Sequence, residues 1–125
     1  MKVHHIGIIV KDIDKSEKIY EKLSYKKMEL IHDKLQNIKI QFMINDNDEK
    51  IELIQSLDKN SSIHNFKPGY HHICYELSNQ EKEKFNFSQY KIGKIFTNDI
   101  VAQAINNRTV VFACLTNQTF IEFLF

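Results

Sequence analysis

His4-His5-Ile6-Gly7-Ile8 returns as His71-His72-Ile73-Cys74-Tyr75, and Ile51-Glu52-Leu53-Ile54 returns as Ile121-Glu122-Phe123-Leu124. His5 and Glu52 stand 47 positions apart, and His72 and Glu122 stand 50 apart. The same two marks, in the same order and at nearly the same spacing, indicate a duplicated module. Residues of about 1–60 form the first copy and about 68–125 the second.

Around those marks the chain reads as βαβββ, twice. Residues 3–10 are rich in β-branched side chains and predict a strand. Asp12 or Asp14 can cap a helix running to about residue 23, with Ile13, Ile19, Tyr20 and Leu23 at helical spacing on its apolar side. Strands follow at residues 26–32, 38–44 and 49–55, with the turn-prone Asn45-Asp46-Asn47-Asp48 between the last two. Residues 61–66 read as a short helical connector, ended by Pro68-Gly69. The second copy predicts a strand at 70–77, a shorter helix at 80–87, and strands at 90–97, 109–115 and 120–125.

The bulk properties agree with one small α+β domain. The 125 residues are 42% hydrophobic and 26% charged, enough to bury one core. Neither half is apolar enough to stand alone, so residues 1–125 are expected to form a single domain. A net charge of +1 provides no field to recruit nucleic acid or an anionic membrane. The longest apolar runs, such as residues 6–10, fall far short of the ~20 residues that span a bilayer. Met1-Lys2 leads directly into structure, so a soluble cytoplasmic protein with a small-molecule substrate is expected. Cys74 and Cys114 match no disulfide or metal-binding pattern and read as reduced residues in or near the core.

Strand alternation then sorts the repeated residues by face. His5 shares a side with Gly7, while Ile6, Ile8 and Val10 face the helix. His72 lies with Cys74 and Glu76, opposite Ile73, Tyr75 and Leu77. Glu52 and Glu122 each point away from their apolar neighbours, so all four project from the face that the core does not claim. A carboxylate flanked by core-facing residues needs a partner, and two carboxylates with two histidines, related by duplication, suit one shared divalent ion. Imidazole nitrogen and carboxylate oxygen accommodate cobalt, nickel, zinc, manganese or iron. His4 and His71 are assigned to the helix-packed side, and His32 and His64, outside the repeat, to the surface.

These residues resemble the vicinal oxygen chelate superfamily, which includes glyoxalase I, methylmalonyl-CoA epimerase and extradiol dioxygenases. The opening His4-His5-Ile6-Gly7-Ile8-Ile9-Val10 and the segment from Asp12 through Tyr20 look like its first strand and helix. Ile51-Glu52-Leu53-Ile54, Ser62-Ile63-His64-Asn65-Phe66 and Gly69-Tyr70-His71-His72-Ile73-Cys74-Tyr75-Glu76 are most similar to the epimerase-like branch. The resemblance implies a glyoxalase-like fold: two βαβββ modules in a cupped, mostly antiparallel sheet, usually assembled as a homodimer. It implies His5, Glu52, His72 and Glu122 as ligands of one metal ion, with Glu122 also shuttling a proton next to a carbonyl.

The implied activity is that of a metal-dependent isomerase or epimerase, similar to methylmalonyl-CoA epimerase. The alternatives are a lactoylglutathione lyase like glyoxalase I and a non-catalytic, resistance-type binding protein. Two departures bear on the choice. Epimerases carry an acid where Asp33-Lys34-Leu35-Gln36-Asn37 has Leu35, leaving Asp33 as the substitute second acid. The arginine that glyoxalase I uses to grip glutathione is Ile9 here. Arg108 is the candidate clamp for a substrate carboxylate or phosphate.

Overall fold

The computed structural model describes residues 1–84 and 91–125. The chain divides into two compact units, His5–Tyr70, and His71–Phe125 together with Met1–His4. Among the described residues no helix is long and apolar enough to cross a membrane.

The first unit carries most of β1 (Lys2–Ile9), then α1 (Ile13–Lys22), β2 (Lys26–Asp33), β3 (Ile38–Ile44) and β4 (Lys50–Ser56). Its strand order is β2-β3-β4-β1, with β1 parallel to β4 and the other pairs antiparallel. Asp12 caps α1 by accepting a hydrogen bond from the Lys15 backbone N–H, satisfying one of the donors a helix start leaves open. Gln55 accepts from the Ile13 N–H at 2.9 Å and ties that helix start to β4. Ile13 seals against Met43 and Leu53, with Ile8, Val10, Tyr20, Tyr25 and Ile51 around them. Each fully buried side chain of this size contributes roughly 1.5–3 kcal/mol.

Only half of the helix's expected apolar side is used. Ile13 and Tyr20 pack on the sheet, whereas Ile19 and Leu23 are 60% and 61% exposed. Ile6, expected beneath the helix with Ile8 and Val10, is also exposed.

The connector differs from expectation too. Residues 61–66 form successive turns, with Ser61, His64 and Phe66 N–H groups bonded three residues back. The Ser62 N–H reaches the Gln36 carbonyl at 3.1 Å, and Leu57 N–H reaches Asn37 at 3.2 Å. These bonds, with buried Ile63, attach the connector to the β2–β3 turn and extend the first unit to Tyr70.

The second unit carries most of β5 (Gly69–Glu76), then α2 (Asn79–Lys84), β6 (Gly93–Ile95), β7 (Ile100–Ala102), β8 (Arg108–Leu115) and β9 (Phe120–Leu124). The strand order is β5-β9-β8-β6, with β5 parallel to β9 and β7 also on β8. This is the first unit's arrangement with its edge strand broken in two. Where the break falls, the Phe96 N–H still donates to the Phe112 carbonyl, and Thr97 Oγ1 replaces a backbone acceptor for the Phe112 N–H at 2.9 Å. The strand expected at 90–97 is therefore short, and β7 is an addition. Phe85–Phe87 of the expected helix and Tyr90 of the expected strand lie outside the described residues. Leu77, Val111, Ala113 and Phe123 form this unit's core, with Tyr75, Leu115, Ile121 and Phe125 against it.

Candidate metal centre

In the first unit β4, which carries Glu52, runs between β1, which carries His5, and β3, which carries Phe42. Gly7 and Phe42 are the register partners of Glu52 on either side. Nε2 of His5 lies 3.3 Å from Oε2 of Glu52, and both residues are buried. The imidazole stands perpendicular to the Phe42 ring, at a centroid distance of 5.1 Å and an angle of 85°. Ile9, Ile38, Ile40 and Ile54 are buried as well, and strand alternation puts them on this same face.

The second unit repeats the arrangement. Cys74 and Phe112 are the register partners of Glu122. Nε2 of His72 lies 3.5 Å from Oε2 of Glu122, again with both residues buried. Its ring stands at 83° to that of Phe112, with centroids 5.3 Å apart. Cys74, Val110 and Leu124 are buried on this side.

This corrects one expectation. The face bearing the histidines and glutamates is not left open by the core; it is apolar and buried itself. A carboxylate here has lost much of its hydration and depends on what its oxygens meet. The His–Glu separations exceed the 2.7–2.9 Å of a strong charge-assisted hydrogen bond. They are close to the ~3.0–3.4 Å between two donor atoms that each lie ~2.1 Å from a common ion at 90–109°. By donor type and spacing, each pair fits a divalent metal.

Strand alternation does not hold at His71: it predicts the helix-packed side, yet Nδ1 of His71 lies 2.9 Å from Nδ1 of His72. His32 and His64 are exposed, as expected, and Cys74 and Cys114 carry no disulfide. Phe42 and Phe112 escaped the reading of the sequence. The signal was present, since each stands ten positions before its glutamate.

Arg108 and Asp33 have protein partners of their own. Arg108 pairs through Nη1 with Glu76 and donates from Nε to the Phe125 carbonyl at 3.2 Å. That guanidinium is the main cause holding the Glu76 carboxyl below its ordinary range, with His4 and Lys2 adding to it. Asp33 is buried and accepts from the Leu35 and Gln36 N–H groups and from Gln36 Nε2, all at 3.0–3.1 Å. It closes the β2–β3 turn. Leu35, at the tip of that turn, is 83% exposed.

The model of the glyoxalase/bleomycin resistance protein/dioxygenase superfamily matches residues 4–112. The chain belongs to that superfamily. Its members generally bind a divalent metal. Among solved structures, a hypothetical protein from Bacillus halodurans is similar with a TM-score of 0.82 and 24% identity, over 98% of this chain and 92% of that one. Methylmalonyl-CoA epimerase from Mycobacterium tuberculosis gives 0.81 at 18% identity, over 98% and 86%. The Streptomyces coelicolor epimerase in complex with 2-nitronate-propionyl-CoA gives 0.80 at 12%, over 99% and 96%. These likenesses establish the glyoxalase-like fold that the resemblance implies. No curated protein matches the sequence.

Proposed function

We propose that this superfamily member is a metal-dependent isomerase or epimerase that moves a proton on the carbon next to a carbonyl. His5, Glu52, His72 and Glu122 together hold one divalent ion. The observation that carries this reading is the buried His–Glu pair, repeated with matching geometry in both modules and embedded each time in an apolar face. Structural neighbours that are methylmalonyl-CoA epimerases add weight to a thioester substrate.

When bound, the ion supplies positive charge beside the substrate carbonyl and makes the neighbouring proton easier to remove. The chain's own residues do the rest. Glu122 takes that proton, favoured by a surrounding that excludes water; an isomerase returns it from the same carboxylate, whereas an epimerase takes the replacement proton from solvent on the opposite face. His5 and His72 hold their nitrogen donors in place, each braced by a phenylalanine ring. Ile9, Ile38, Ile40 and Ile54 keep the local dielectric low, so that each charge acts strongly.

The test is proton exchange. Metal-loaded protein incubated in deuterium oxide with methylmalonyl-CoA and related acyl-CoA thioesters is expected to place deuterium at the α-carbon. Glu122→Gln is expected to slow exchange by roughly 10²–10⁴-fold. Absence of exchange with every metal and thioester would refute the epimerase reading.

A second reading draws on Asp33 and Leu35. With Asp33 locked in a turn and Leu35 apolar and exposed, neither supplies a second proton carrier. One carboxylate suffices when the proton leaves and returns on the same face, as in converting a hemithioacetal to a thioester. Activity with methylglyoxal and glutathione, in the absence of exchange into acyl-CoA substrates, would select that lyase reading.

A further inference from the structure

We infer that His71 is the hydrogen-bond acceptor that fixes the tautomer of His72, and so positions the nitrogen turned toward Glu122. The two Nδ1 atoms are 2.9 Å apart. At that separation one nitrogen must carry the proton and the other the lone pair, since two protons or two lone pairs would repel.

The direction of the bond follows from the other side of the His72 ring, where Nε2 faces Glu122 Oε2. For Nε2 to offer a lone pair, the ring proton must sit on Nδ1. His72 then donates, His71 accepts at Nδ1, and His71 carries its own proton on Nε2. This direction rests on reading His72 as a metal ligand; the contact itself does not.

Consecutive strand residues ordinarily project to opposite faces, so β geometry alone does not bring these rings together. Aromatic packing holds them there. The two imidazoles are perpendicular, with centroids 5.1 Å apart. The His71 ring also meets Phe120 at 5.6 Å and Phe112 at 6.3 Å, and Phe112 in turn meets His72 at 5.3 Å. Phe112 therefore supports both partners of the bond. His71 acts through His72, and its role is to orient.

The test reads the tautomers directly. Long-range proton–nitrogen spectra of the ¹⁵N-labelled, zinc-loaded protein, taken above the ordinary histidine pKa of about 6.5, are expected to show His72 protonated on Nδ1 and His71 on Nε2. The reverse assignment would overturn the inference.

Two variants supply a second readout, zinc affinity by calorimetry. His71→Asn keeps an acceptor near the Nδ1 position and is expected to bind zinc almost as the parent does. His71→Phe keeps the ring packing without the acceptor and is expected to bind roughly 10–100-fold more weakly. Equal affinity for both variants would count against the acceptor role. Failure of the parent protein to bind zinc, cobalt or nickel would refute the metal reading instead, whereas zinc binding with the reverse tautomers would refute the acceptor role of His71 alone.

Discussion

Phe42 and Met43 are neighbours on β3 whose side chains serve opposite faces, and exchanging each for leucine separates metal support from packing. Met43 is fully buried in the helix-facing core, while Phe42 is buried against the His5 imidazole. Met43→Leu conserves volume and is expected to destabilise the fold by less than ~1.5 kcal/mol, while Phe42→Leu, which also loses ring volume, is expected to cost roughly 0.5–3 kcal/mol. Their effects on the metal should differ. The Phe42–His5 pair, at 5.1 Å and 85°, has the geometry of an edge-to-face aromatic contact, worth about 0.5–1.5 kcal/mol beyond the area it buries. Losing it releases the imidazole and should weaken divalent-metal affinity about two- to twelve-fold, at about 1.4 kcal/mol per factor of ten. Phe112→Leu should do the same through His72. Titration calorimetry with cobalt or zinc measures the affinity, and urea unfolding measures the stability. If Phe42→Leu leaves metal affinity unchanged, or Met43→Leu lowers it equally, the bracing role of the ring is wrong.

Further outcomes follow from the same geometry. Metal at 100 times its dissociation constant should stabilise the protein by about 2.7 kcal/mol, raising the thermal midpoint by roughly 10 °C for a chain of this length; a thermal scan of His5→Ala or His72→Ala should show almost none of that rise. Asp33→Ala should cost about 2–3 kcal/mol in urea unfolding, because three donors at the β2–β3 turn lose their acceptor, and should leave proton exchange per folded molecule intact. Glu76→Gln should lower stability near neutrality by no more than ~1 kcal/mol, since the pair with Arg108 is about one-third exposed on both sides. Because Arg108 lowers the folded pKa of Glu76, that contribution is fully present above the unfolded value of about 4.3 and is lost as pH falls through the folded value. The stability gap between parent and variant should therefore hold from pH 7 to about 5 and close in stronger acid.

The repeated His and Glu marks could be read in the sequence because duplication writes the same requirement twice. Their burial could not. Alternation assigns Ile9 and Phe42 to the face of His5 and Glu52, but the depth of that face depends on tertiary packing, which periodicity does not report. The broken edge strand was hidden for a related reason. Thr97 holds the ladder together through its side-chain oxygen, a substitution that β-propensity cannot anticipate. Ile19 and Leu23 show the opposite failure, since helical spacing marks a wide apolar side and the sheet covers only part of it. His71 departs from strict alternation because Phe112 and Phe120 draw its ring toward His72. Phe42 and Phe112 were legible through their matched ten-residue offset, a regularity that matters only once their strands are known to pair with those of Glu52 and Glu122.

The central claim is that two modules contribute to one ion. Crystals of the metal-loaded protein, measured at the metal's absorption edge, test it directly. The anomalous map should show one peak per chain within bonding distance of His5, Glu52, His72 and Glu122. Two peaks, each on a single His–Glu pair, or no peak near these residues, would contradict it.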